Sequence, residues 1–197
     1  MNILSLNSNS LGKGDYATTW INSLVCKYNV AIIGIQETKR KEISDFVVRK
    51  MWGSSDFEFE QCNSSGKGGG LIYVWNSDLF SSNRVFTRKD CLIIQGGNWE
   101  GSTFIFGDLN EVRHSAERNG SRFNQQGANE LNDFIKSNDL DDLKIGGREF
   151  TWFNKRGTKM SRLDWILISK GVDEIWQNLE VVVESRINSD HTPLILK

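Results

Sequence analysis

Ser189-Asp190-His191-Thr192-Pro193 sets a carboxylate, a hard oxygen ligand, directly beside an imidazole that titrates near neutral pH. Three more polar groups sit just after or within apolar runs: Ile35-Gln36-Glu37-Thr38, Gly107-Asp108-Leu109-Asn110 and Arg162-Leu163-Asp164-Trp165. Spread over the whole length, they predict one composite site assembled by the fold. The chemistry they suit is attack on a phosphodiester. Its negative charge repels nucleophiles and its alkoxide leaves poorly, so an enzyme needs a cation for the oxygens and a way to generate hydroxide. Glu37 and Asp190 are oxygen ligands of the kind magnesium takes, and Asn7, at the end of the first apolar run, adds a neutral one. His191 can take a proton from attacking water or, as imidazolium, stabilise the phosphate, and Asp164 is the natural group to orient it. Asp108 and Asn110, two apart after a strand, face the same way if the extended geometry continues.

Each residue also has a plain structural reading. Asn7 could cap the turn toward Leu11-Gly12, Glu37 could favour the start of a helix, and Gly-Asp-x-Asn is common turn composition. Singly, those readings win; taken together and in this order, the functional one does. His114 lies in a polar loop and reads as exposed or phosphate-facing rather than as a ligand. Basic residues flank the same segments: Lys39, Arg40 and Lys41 after Glu37; Arg113, Arg118 and Arg122 after Asn110; Lys155, Arg156, Lys159 and Arg162 before Asp164. They give modest support to a polyanionic substrate, although a net charge of −1 excludes a globally basic nucleic-acid binder.

A site drawn from four distant segments needs a folded scaffold, and 38% hydrophobic residues with 7 Trp and 11 Phe provide for one. The 197 residues read as a single domain, 1–197. Cys26, Cys62 and Cys91 are odd in number and widely spaced, which fits small core residues in a reducing compartment. No segment is apolar for long enough to span a bilayer, and residues 1–30 lack a secretory pattern. The expectation is an intracellular protein, the nucleus included, that is not secreted and needs no obligate protein partner.

Strands are predicted at Ile3 to Leu6 and Val30 to Ile35, with a helix between them presenting Trp20, Ile21, Leu24 and Tyr28 on one face. A helix from about Glu42 to Met51 follows, with Ile43, Phe46, Val47 and Lys50 recurring at helical spacing. Phe57, Phe59 and Leu71 to Trp75 read as a hairpin joined by the glycine-rich 64–70 turn, whose GKGGG is not a nucleotide loop. Further strands are expected at Val85 to Thr87, Cys91 to Gln95, Thr103 to Phe106, Phe150 to Phe153, Leu163 to Ile168, Leu179 to Val183 and Leu194 to Leu196. Helices are expected from about Gln126 to Ser137 and near Val172 to Trp176. Without strict alternation of the two, the pattern is an α/β sandwich of two sheets flanked by helices.

In sequence, Asn7, Ile35-Gln36-Glu37-Thr38, Gly107-Asp108-Leu109-Asn110, Ser161-Arg162-Leu163-Asp164 and Ser189-Asp190-His191 resemble the endonuclease/exonuclease/phosphatase family, which includes deoxyribonuclease I and the abasic-site endonucleases. The runs Asn110-Glu111-Val112-Arg113, Ser121-Arg122-Phe123-Asn124, Gly146 to Phe153 and Leu163 to Leu167 look like the nuclease domain of plant LINE-type retrotransposons. The resemblance implies a four-layered α/β-sandwich with two mainly antiparallel sheets, and hydrolytic nicking of DNA. It assigns Glu37 to a magnesium or manganese ion, with Asn7 and Asp190 completing or supporting the shell. It also implies that Asp164 holds His191, that Asp108 and Asn110 position water and phosphate, and that Arg113, Thr151 and Trp152 contact substrate.

Two departures stand out. Ser10 falls where the family has glycine after the first strand, which predicts backbone strain there. Between Gln95 and Phe104 only Gly96 to Ser102 intervene, where family members carry another strand and helix, on the order of 30 residues. An internal deletion at about 96–102 would remove a site tyrosine and leave backbone groups without partners. Two other readings follow: a catalytically impaired retroelement remnant that binds nucleic acid, and a small-molecule phosphodiesterase or phosphatase of the same family.

Overall fold

The computed structural model describes residues 1–12, 15–64, 68–88, 91–96, 102–187 and 189–197, without side chains for 82–88, 91–96 and 173. The expected deletion at 96–102 falls mostly on 97–101, outside the described residues. The chain divides into two compact units, Met1–Glu100 and Gly101–Lys197.

In the first unit, β1 (Asn2–Asn7), α1 (Tyr16–Tyr28) and β2 (Val30–Gln36) form a strand, helix, strand unit with the two strands parallel. Their run of buried Ile3, Leu4, Leu6, Ala31, Ile33 and Ile35 is what a strand covered on both faces requires. Helix α1 buries Trp20, Ile21, Leu24 and Val25 and ends where Asn29 turns left-handed at φ 46°. Helix α2 (Asp45–Trp52) is shorter than predicted. Ile43 stays outside it because the Gln61 amide bonds both its N–H and its C=O, at 2.8 and 3.0 Å. The buried face is accordingly Val48, Met51 and Trp52, and Phe46 is 65% exposed. The predicted hairpin is β3 (Phe57–Cys62) paired antiparallel with β4 (Leu71–Asn76), and β4 also pairs antiparallel with β2. Strands β5 (Ser82–Arg88) and β6 (Cys91–Gly96) make a second hairpin.

In the second unit, β7 (Phe104–Asp108) leads to a 3-10 turn at Ser115–Glu117, the short β8 (Arg118–Asn119) and helix α3 (Gln125–Ser137). After α3 come β9 (Leu140–Asp142), β10 (Ile145–Gly146), β11 (Trp152–Phe153) and β12 (Met160–Ser161). Strand β13 (Asp164–Ser169), helix α4 (Val172–Ile175), β14 (Val181–Val183) and β15 (Leu194–Leu196) complete it. Strand β13 is the axis, antiparallel to β7 and to β9. Its Trp165 and Leu167 form a core with Leu131 and Ile135 of α3 and Leu140 of β9. Strands β8, β11 and β12 form a small antiparallel sheet, and β14 pairs with β10 and β15. The expected α/β class is the one found, its several mainly antiparallel sheets accompanied by helices. Among the described residues, no helix is long and apolar enough to cross a membrane.

Candidate functional site

In the second unit, the register of β7 against β13 pairs Asp108 with Asp164 across the ladder. Both strand ends are capped by charge. The ring of His191 meets both carboxylates: Nδ1 lies 2.8 Å from Asp164 Oδ2 and Nε2 3.7 Å from Asp108 Oδ2. His191 and Asp164 are buried, and an imidazole without partners would be held neutral there. Burial does lower the pKa of His191, yet the hydrogen bond and charge of Asp164, with the charges of Asp108 and Asp190, outweigh it and raise the pKa above the ordinary value.

Thr151 explains how this group is held. It is 0% exposed; its hydroxyl accepts the N–H groups of Leu163 and Asp164, each at 3.0 Å, and its carbonyl accepts the Thr192 N–H at 2.8 Å. One residue thus ties the segment carrying Asp164 to the segment carrying His191. Thr151, which the resemblance sets among the substrate contacts, here braces the pair from behind. Ser189, whose hydroxyl accepts the His191 N–H at 3.0 Å, closes the preceding turn. The Trp152 indole donates to Asp190 Oδ2 at 3.0 Å.

The condition set for Asn110 is not met. Its backbone is left-handed, φ 58°, and its N–H folds back onto Asp108 Oδ1 at 2.8 Å, so the strand does not continue and the exposed side chain follows a turn. Arg113 departs further from expectation. Its guanidinium donates to Asn132 at 2.8 Å and to Asp142 at 3.2 Å, an internal clamp between the loop, α3 and β9. Arg118 likewise pairs with Glu111, and Arg162 with Asp142 and Glu117 while stacking 4.1 Å over Trp165. Three of the cations credited to a polyanion therefore serve the scaffold. Arg122, Lys155, Arg156 and Lys159 are exposed, as is His114. Sequence reading missed the bracing Thr151, Ser189 and Arg162, because a hydroxyl or guanidinium used internally has the same sequence signature as one facing solvent.

In the first unit, Asn7 pairs in register with Gln36, the residue before Glu37, and the Ser8 N–H continues to the Gln36 carbonyl at 2.9 Å. Asn7 is buried and accepts the Asn9 N–H at 3.0 Å. Glu37 is 40% exposed, and Lys39 Nζ stands 3.2 Å from its Oε2. Gly69 and Gly70 of the glycine-rich turn buttress this segment, their carbonyls accepting the N–H groups of Lys39 and Thr38 respectively. A side chain at Gly70 would lie 2.4 Å from the Thr38 hydroxyl, and φ there is +88°. Asn9, Ser10, Glu37 and Lys39 all have positive φ. Ser10, at 137°, carries the strain expected of a residue standing in a glycine position.

Among the described residues, no three His, Cys, Asp or Glu side chains cluster as a cage for a metal. The expected donor set contains only two carboxylates and one amide.

Comparison with known proteins agrees over the length of the chain. The model for the Endonuclease/Exonuclease/phosphatase family matches residues 2–191. A search of curated proteins finds no match. Among solved structures, a 3′-5′ exonuclease from Neisseria meningitidis is similar at TM-score 0.76 and 15% identity, the match covering 100% of this chain and 99% of that one. An AP endonuclease from Archaeoglobus fulgidus is similar at TM-score 0.76 and 14% identity, covering 100% and 98%. The endonuclease domain of TRAS1, a telomere-specific non-LTR retrotransposon, is similar at TM-score 0.61 and 14% identity, covering 100% and 97%.

Proposed function

The chain belongs to the Endonuclease/Exonuclease/phosphatase family, and from that premise we propose that it is a divalent-metal-dependent endonuclease of retroelement type that nicks DNA. Membership gives the coarse class, a hydrolase of the nuclease kind. The finer reading is supported by the motif runs Ser121 to Asn124 and Phe150 to Phe153 and by the likeness to a retrotransposon endonuclease domain.

The observation that carries the reading is the buried array of Asp164, His191 and Asp108. With Nδ1 held by Asp164, Nε2 is the working nitrogen. It takes a proton from water or, when protonated, stabilises negative charge on the phosphate, and Asp108 on the same side orients the water. Asn110, exposed after the turn, donates its amide to a phosphate oxygen. Glu37, Asn7 and Asp190 offer carboxylate and amide oxygens alone, a donor set that fits magnesium or manganese. We assign Glu37 and Asn7 in the first unit, and Asp190 in the second, as oxygen ligands for such an ion, which when bound would neutralise phosphate charge and lower the pKa of water. Exposed Lys155, Arg156 and Lys159 supply sequence-independent attraction to a nucleic-acid backbone.

Supercoiled plasmid tests the proposal, because a circle without ends is a substrate for a nicking endonuclease and not for an exonuclease. Nicked circles bearing 3′-hydroxyl ends are expected with magnesium, and none with EDTA. DNA retention without nicking would replace this reading by that of a nucleic-acid-binding remnant. Hydrolysis of small phosphate esters with the plasmid left intact would move the substrate class to small molecules.

A further inference from the structure

Three contacts tie the segment of Trp152 to that of Asp190. Trp152 pairs with His191 in an antiparallel bridge, the Phe153 N–H donates to the Asp190 carbonyl at 3.0 Å, and the Trp152 indole N–H donates to Asp190 Oδ2 at 3.0 Å. The first two fix the backbones side by side, so the third is set by the fold and not by chance rotamers. Arg186 lies 4.6 Å over the neighbouring Phe153 ring.

We propose that Trp152 is a positioning residue for Asp190: its indole N–H fixes the carboxylate plane and thereby sets the affinity for the divalent ion. This rests on the assignment of Asp190 as a ligand. An indole suits the task because it is a donor only and carries no charge. It orients the carboxylate without adding a cation that would compete with the metal, as the Lys39 ammonium beside Glu37 does. A phenyl ring would pack similarly and leave the carboxylate without this bond. Partners of this kind, one step behind a ligand, commonly alter metal affinity by about 10- to 100-fold.

The test is a Mn²⁺ binding titration of the full chain without DNA, alongside melting temperatures in EDTA to monitor folding. Trp152→Phe should weaken Mn²⁺ binding about tenfold. In an Asp190→Asn background the same change should have no further effect, since Trp152 acts through that carboxylate. If Trp152→Phe lowers the melting temperature in EDTA, replacement of Trp152 by 3-benzothienylalanine keeps the ring shape and puts sulfur where the N–H was. The same tenfold loss is then required of it. Unchanged or tighter binding, or an equal loss in the Asp190→Asn background, overturns the proposal while leaving the ligand assignment standing. Full Mn²⁺ affinity in Asp190→Asn alone removes that assignment and the proposal with it.

Discussion

The two groups of polar residues are built in opposite ways. His191 and Asp164 are buried, joined at 2.8 Å, and braced from one threonine that serves both segments. Glu37 is 40% exposed, sits at positive φ among three other strained non-glycine residues, and has a lysine for its neighbour. The first is finished by folding; the second is shaped but left open. A proton-handling pair depends on fixed distances in a low dielectric, whereas a carboxylate meant for a hydrated ion must remain reachable by solvent. The contrast predicts that damage to the first group shows as lost rate or lost stability, and damage to the second as lost response to metal.

The largest effect is expected from His191→Ala, which should reduce plasmid nicking by about 10²- to 10⁴-fold, with His114→Ala close to wild type. Equal losses from the two would remove the special role of His191. Next, saturating magnesium should raise the melting temperature, since a ligand at about 100 times its Kd stabilises by about 2.7 kcal/mol, and Glu37→Gln should abolish the shift. A full shift in that variant would move the ion elsewhere.

Thr151→Val should cost about 1–3 kcal/mol in urea unfolding, because two backbone N–H groups lose their acceptor inside the protein, while Thr151→Ser should be far milder. Identical losses would show that the methyl group matters and the hydroxyl does not. In the other direction, Ser10→Gly should stabilise the first unit by about 1 kcal/mol, relief of strain exceeding the entropy that glycine loses. Destabilisation would mean that the Ser10 hydroxyl, which accepts the Gly12 N–H at 3.0 Å, outweighs the strain.

The smallest effect is that of pH, because burial opposes the carboxylates around His191 and only the difference remains. The folded pKa is raised, so this stabilisation is complete below the unfolded pKa of about 6.5 and is lost as pH rises through the folded value. Urea midpoints in EDTA from about pH 5.5 to about pH 8.5 should show wild type losing its advantage over His191→Gln toward the alkaline end. An advantage that grows with pH would reverse the assigned direction.

Sequence alone determined the elements whose periodicity is strong and the residues whose types are chemically scarce. The strand, helix, strand opening, the hairpin around 57–75, the helix at 125–137 and the pairing of Asp164 with His191 were all legible. They rest on local pattern or, for that pair, on the resemblance of its motifs to the family. The start of α2 was not legible, since Ile43 obeys helical spacing and is drawn out of the helix by Gln61, eighteen residues away. Nor were the tasks of Arg113, Arg118, Arg162 and Thr151. A guanidinium or hydroxyl can face solvent, substrate or the protein's own polar groups, and only the fold decides which partners are near enough to satisfy it. The 3.7 Å approach of Asp108 to His191 belongs to the same class, because it depends on the register of β7 against β13. Residue type sets what a side chain is able to do, and three-dimensional proximity selects which of those abilities is used.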